Sequence, residues 1–274
     1  MSVSLRSLRR LALHGVVIGV AAIFLIPVFI LFTTALQVTG GGISLIPTSV
    51  TYDNFRDVWV ETRLPRLLVN SVVVTAASVA IVVILSSLAA YGFVHHPFRG
   101  GRLLMLLLLT GIMLPPAAII VPLYAEIRSF GLLNSYAGLI GPYTALGLAV
   151  GILFFRNAFS SIPLDVVRAA QVDGASSWTI YRRIFLPLSL PAIATVAILQ
   201  TLFSWNEFLI ALLVTTDESV KTAQLAYVTY AGLYSASFEK QFAVIALLTV
   251  PVLVVFIAFQ RQFVRGLTSG ALKG

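Results

Sequence analysis

The chain has 274 residues, of which 59% are hydrophobic and only 10% charged. A soluble domain carries roughly a quarter charged residues, so this composition cannot clothe a water-facing surface and excludes a soluble enzyme or a disordered chain. There is no cysteine, which removes disulfides, thiolate metal sites and cysteine nucleophiles, and the net charge of +8 sits in short tracts between apolar runs. That is a pattern of membrane topology, not of nucleic-acid binding.

A helix needs about 20 apolar residues to cross roughly 30 Å of hydrocarbon. Six stretches meet the requirement, at 11–36, 67–93, 103–124, 132–155, 188–214 and 242–263. The expected architecture is an all-α integral membrane protein with six transmembrane helices, a single domain over 1–274. Arg6, Arg9 and Arg10 precede the first stretch as in a signal peptide, but its apolar run is too long and no small-x-small cleavage pattern follows Ala35. It reads as a retained span.

Lysines and arginines set the orientation. With the N-terminus inside, the cytoplasmic tracts hold Arg6, Arg9, Arg10, Arg99, Arg102, Arg156, Arg168, Arg182, Arg183, Arg261, Arg265 and Lys273. The external tracts hold only Arg56, Arg63, Arg66, Arg128, Lys221 and Lys240, so both termini are expected in the cytoplasm. The external segment after the first span carries Gly40-Gly41-Gly42, Pro47, Asp53 and Trp59 and reads as a small cap or a partly ordered extension. Asn70 and Ser71 read as helix caps, and His95-His96, beside Pro97 and Arg99, as turn residues.

The cytoplasmic segment 156–187 is long for a connection and reads as helix–turn–helix. Pro163 suits a first helical turn, residues 164–172 can run helical, and Gly174 suits a left-handed cap. Ser176 or Ser177 can cap the next helix. Small residues make this first helix suited to docking in a cleft of another protein, or to lying at the membrane interface as an anchor.

The order Arg168-Ala169-Ala170-Gln171-Val172-Asp173-Gly174-Ala175, followed by Ile184-Phe185-Leu186-Pro187-Leu188, resembles the Glu-Ala-Ala loop of ABC-importer permeases. The surroundings resemble the MalG-like, binding-protein-dependent branch of carbohydrate uptake. They include Ala90-Tyr91-Gly92-Phe93, Gly131-Leu132-Leu133-Asn134-Ser135-Tyr136, Trp205-Asn206-Glu207-Phe208 and Phe259-Gln260-Arg261-Gln262-Phe263. The resemblance covers most of the chain from about residue 50. It implies the type I ABC-importer permease fold, with a coupling helix between spans four and five that carries Asp165, Arg168, Ala169, Ala170, Asp173, Gly174 and Ala175. It also implies a second homologous permease, a cytoplasmic ABC ATPase dimer and an extracytoplasmic solute-binding protein in a bacterial inner membrane. One residue departs: Arg168 stands where the family has Glu, so the family's contact from that position to a basic residue of the ATPase cannot form. Either the ATPase has changed too or Asp165, one turn earlier, takes over; Asp165 and Arg168 can also pair with each other at i, i+3.

No Gly-x-x-x-x-Gly-Lys-Ser/Thr occurs, so no P-loop is expected in this chain and ATP and Mg belong to the partner. No catalytic or metal constellation is expected, and no cofactor of its own. Glu207 is the one acid placed well inside a span, which makes it a functional candidate by default. With Trp205, whose ring can stack on a sugar, and Asn206 it forms the candidate substrate pathway, or else locks helix packing. Pro115, Pro116 and Pro122 remove hydrogen bonds from span three, which must bend or break as a gate or a fixed kink. Gly147 and Gly151 form a small-xxx-small pair for helix packing.

The expected function is ATP-driven import of a sugar or oligosaccharide by a permease that makes no covalent change to it. Alternatives are a gradient-driven transporter or channel using Glu207, ABC import of a non-sugar solute such as a glycerophosphate-type compound, and a membrane scaffold.

Overall fold

The computed structural model describes residues 5–47, 49–113, 115–232 and 237–271, and side chains within these except at 5–12 and 260–271. Arg6, Arg9, Arg10, Arg261, Arg265 and Lys273 of the orientation count therefore have side chains outside the described residues, as do the tail residues 259–271 from Gln260 onward.

Among the described residues the regular structure is helical apart from a single β-bridge between Gln37 and Val50. In order, the helices are α1 (Leu5–Ala35), α2 (Asp53–Glu61), α3 (Leu64–His95), α4 (Gly101–Met113), α5 (Pro116–Ser129) and α6 (Tyr136–Ser160). There follow α7 (Leu164–Val172), α8 (Ser177–Ile180), a π-helical turn (Tyr181–Phe185), α9 (Leu186–Leu188), α10 (Leu190–Asn206), α11 (Leu209–Val214), a 3₁₀ segment (Ala223–Tyr230) and α12 (Phe238–Ala271). Four helices are long and apolar enough to cross a bilayer, and two bent pairs, α4 with α5 and the α8–α9 stretch with α10, raise the number to as many as six.

Span three is broken rather than bent. Pro115 is extended (φ −66°, ψ 133°) and Pro116 opens α5, whereas Pro122 lies inside α5 and does not interrupt it. Two consecutive prolines exclude the helical region at the first and remove both N–H groups, while a lone proline forfeits one bond. Of the bend or break expected at Pro122, the structure thus shows no break. Span four runs further than expected, to Ser160, which shortens the connection that follows it.

Contacts divide the chain into two compact units, one of residues up to Leu64 with Ala226–Val250, the other of Pro65–Leu225 with residues from Pro251 on. In the first unit α2 braces the end of α1: Asn54 Nδ2 donates to the carbonyls of Ala35 (2.9 Å) and Gln37 (2.7 Å). The carboxylate of Glu239 accepts from the backbone amides of Gly40 (3.0 Å) and Gly42 (2.9 Å), whose positive φ angles of 94° and 70° turn the loop onto it. Lys240, the next residue, pairs with Asp57 (2.8 Å) and Glu61 (3.0 Å) on α2. Glu61 also accepts from the Tyr230 hydroxyl, and burial together with this bond pushes the phenol above its ordinary range. The expected external cap is therefore a built element held by polar contacts.

The second unit has two apolar cores. One gathers Val82, Tyr91, Phe155, Phe159, Val167, Ile180, Tyr181 and Phe185, the other Val74, Ile127, Leu139, Tyr143, Ile210 and Val214. Gly147 and Gly151 let α6 approach its neighbours: an added Cβ at Gly147 would meet Gln200 and Val82, and one at Gly151 would meet Ser86 Cβ at 2.8 Å.

Candidate functional site

The segment after α6 is anchored on one side and open on the other. Pro163, extended at ψ 131°, starts α7, and Asp165 sits in its first turn, where a carboxylate complements the helix dipole. At the other end Ala175 N donates to Ala170 O (2.9 Å) and Gly174 N to Gln171 O (3.0 Å), with Gly174 at φ 78°. Those two bonds are the Schellman closure that a left-handed glycine permits. Ser176 then caps α8 by accepting from Thr179 N.

Val167 is buried in the first apolar core, with Ala170 and Ala175 packed partly against it. Tyr91 on α3 donates to the carbonyl of Ser177 (2.9 Å), and Ser87 and Tyr181 share a hydroxyl hydrogen bond of 2.8 Å. Asp165, Arg168, Ala169, Asp173 and Gly174 are exposed, beside Val172, which is 88% exposed. Five of the seven expected coupling residues thus share an open face, while Ala170 and Ala175 belong to the seam behind it. Asp165 and Arg168 do pair, at 3.7 Å, with both side chains largely in solvent. His95, expected in a turn, is the last residue of α3 and stacks on Tyr91 with ring centroids 4.9 Å apart.

The three residues expected to line a pathway go to three environments, because α10 ends at Asn206 and Glu207 is extended (φ −68°, ψ 125°). Trp205 is buried and lines a cavity of about 280 Å³ with Val72, Thr75 and Val79 of α3, Thr201 of α10 and Val252 of α12. Thr75 is 6% exposed and its hydroxyl has no hydrogen-bond partner. Asn206 is exposed and turns back, donating to Leu202 O (2.8 Å).

Glu207 is half-buried in the gap between α10 and α11. Its carboxylate accepts from the Tyr143 hydroxyl (2.7 Å), Ile210 N (2.8 Å) and Ala211 N (3.1 Å). It thereby satisfies donors that a helix starting inside a span leaves open. Tyr143 is itself fully buried, and its carbonyl accepts from Gln200 Nε2 (3.0 Å), which also donates to Ser204 (3.0 Å). Tyr143, Gln200 and Ser204 escaped the sequence reading. The i, i+4 spacing of two polar residues in an apolar run was the signal for the last two.

Asn70 and Ser71 do more than cap. Asn70 donates to the carbonyls of Ser219 (3.0 Å) and Lys221 (2.9 Å) and accepts from Tyr136 (2.7 Å), and Ser71 accepts from Ala223 N (2.8 Å). Asn134, at φ 54°, accepts from Thr216 and Asp217 amides. Among the described residues no group of three or more His, Cys, Asp or Glu could hold a metal ion.

Broken spans braced by buried polar groups, with an anchored helical segment presenting an open face between two of them, define a polytopic membrane permease. Residues 82–269 match the family described as "Binding-protein-dependent transport system inner membrane component", and the chain belongs to that family of ABC-importer permease subunits of the inner membrane. It is 35% identical over 269 residues to the trehalose transport system permease protein SugB of Mycobacterium tuberculosis (strain CDC 1551 / Oshkosh), covering 96% of each chain. It is 31% identical to the diacetylchitobiose uptake system permease protein NgcG of Streptomyces coelicolor (strain ATCC BAA-471 / A3(2) / M145), covering 95% of this chain and 88% of that one. The fold is similar to a chain in the crystal structure of a bacterial ABC transporter that imports the acidic polysaccharide alginate. There the TM-score is 0.78 at 22% identity, over 96% of this chain and 99% of that one.

Proposed function

We propose that this chain is the permease subunit that carries a sugar or short oligosaccharide inward, with both termini in the cytoplasm. The observation that carries the reading is the family match together with relatives named for trehalose and diacetylchitobiose uptake. The proposed partners are a second homologous permease, a cytoplasmic ATPase dimer that supplies ATP and Mg chemistry, and an external solute-binding protein. This chain makes no covalent change to the solute.

In this reading α7 is the coupling helix. Its exposed Asp165, Arg168, Ala169, Asp173 and Gly174 face the ATPase, and the seam of Val167, Ala170 and Ala175 passes a push or pull to the spans. The Tyr91–Ser177 bond ties the segment to α3, so movement of α7 displaces a span and not only a loop. Closing of the ATPases would switch the pathway from inward to outward access, and hydrolysis would reset it. Trp205 is the proposed sugar-stacking residue, supported by the cavity it lines and by the unpartnered Thr75 hydroxyl beside it. Asn206 and the Pro115-Pro116 break are proposed to border the path; Glu207 borders it as a structural group.

The test is affinity purification of the tagged chain in mild detergent, followed by ATP hydrolysis assays with candidate sugars and the binding protein. Recovery of a P-loop ATPase and a second permease, with hydrolysis stimulated by a sugar, is the expected result. Recovery of the chain alone, transporting without ATP, overturns the proposal.

A further inference from the structure

The fifth span is two helices, and of the two residues in the gap Phe208 packs on the second apolar core while Glu207 reaches α6 through a polar bond. It faces both ways: two of its acceptor bonds start α11, and the third goes to Tyr143 on α6, where Pro142 has already cost the helix one hydrogen bond. The same tyrosine is held through its carbonyl by Gln200, one and a half turns before the end of α10. Beyond the gap, α11 ends at Val214, whose carbonyl accepts from Asn134 N (3.0 Å), and the chain continues into the segment fastened by Asn134 and Asn70. A short helix of six residues is thus secured at its inner end by one carboxylate and at its outer end by one asparagine.

A helix this short has little cohesion of its own. Ile210, Ala211 and Val214 hold it in the second apolar core, and the two polar fastenings fix its ends there. The bond to Tyr143 can be released by loss of a single hydroxyl without uncapping the helix. We propose that the Tyr143–Glu207 bond is a releasable brace, and that Glu207 positions α11 so that ATP hydrolysis waits for delivered solute. The proposal rests on the importer reading above. Releasing the brace lets α11 and the external segment after it shift as one piece, while α10 stays with α6 through Gln200. Glu207 is a positioning residue and is not assigned contact with the solute.

The test uses the assembled importer in nanodiscs, with hydrolysis measured without and with solute-loaded binding protein. Tyr143→Phe removes the brace and leaves the carboxylate capping α11; Glu207→Gln weakens both. Each is expected to raise unstimulated hydrolysis by about fivefold or more, so that the stimulation ratio falls at unchanged complex abundance. The double variant is expected to add little to either. A lowered abundance with an unchanged ratio overturns the proposal, because a purely packing role moves the first and not the second. A measurement on the unaltered brace covers variants that fail to assemble. The chain has no cysteine, so Leu213→Cys on α11 gives it a single thiol, whose maleimide labelling rate, read on this chain after it is separated from its partners, is expected to differ between nucleotide-free and vanadate-trapped complexes. Equal rates overturn the proposal. Absence of any hydrolysis by the unmodified complex defeats the importer reading itself, a different outcome from hydrolysis that ignores the brace.

Discussion

Tyr91 and Ser177 lie 86 positions apart, yet the tyrosine hydroxyl donates to the serine carbonyl at 2.9 Å, on the last turns of α3 and the first residue of α8. The bond reaches the backbone, so no change of side chain at Ser177 can remove it. Tyr91→Phe removes it alone. The expected cost is about 1 kcal/mol in thermal or denaturant unfolding. A larger effect is expected on the ratio of solute moved to ATP hydrolysed, measured in proteoliposomes, because α7 and α8 would then slide on the core. An unchanged ratio counts against α7 as the coupling helix.

The two glycines of α6 are predicted to differ. An added Cβ at Gly147 meets the end of the flexible Gln200 side chain, whereas one at Gly151 meets Ser86 Oγ at 2.6 Å and its Cβ at 2.8 Å. A serine Cβ cannot rotate away. Gly151→Ala is therefore expected to destabilise the fold by about 1–3 kcal/mol of overpacking and to lower the melting temperature more than Gly147→Ala. Gly147→Ala is expected to act chiefly through the Gln200–Tyr143 bond. The reverse order in a thermal shift assay would refute the argument.

Asn70→Ala removes two donated bonds to the segment after α11 and the acceptor for Tyr136. Hydrogen exchange at residues 216–222 is expected to rise by an order of magnitude or more, as about 2 kcal/mol of local stability is lost. Tyr136→Phe, which spares the two bonds to the loop carbonyls, is expected to do much less.

Arg168 tests the open face. Its pair with Asp165 is 3.7 Å long and exposed, so Arg168→Ala is expected to leave stability within about 0.5 kcal/mol. A change in ATPase recovery or coupling without a change in melting temperature would assign Arg168 to the partner interface. A fall of several degrees would assign it to folding.

The α7–α8 segment was legible in the sequence because its signals are local. Pro163, Gly174 and Ser176 each act on bonds within a few residues, and the helix starts at Leu164 and closes at Val172 as they require. The division of span five was not legible. Residues 188–214 read as one apolar run, and the acid that stands at the break after Asn206 has its hydroxyl partner 64 positions away. The prolines show the same contrast. Pro27, Pro122, Pro142 and Pro251 all sit inside helices without ending them, whereas the adjacent pair Pro115-Pro116 marks a break. Trp205, Asn206 and Glu207 read as a single site because they are consecutive, but a break in the backbone sends neighbours in different directions.

Glu239 and Lys240 are adjacent at the start of α12, about 100° apart around its axis, and opposite in charge. The acid holds the glycine loop and the base holds α2. Their order is thus an angular key: it admits one rotation of the helix beneath the cap and rejects the next. Exchanging the two residues would keep composition and net charge and still turn each toward the wrong lock. An inserted residue just after Ser237 would have to be absorbed before the key could engage, which makes the spacing at this junction as constrained as the residues themselves.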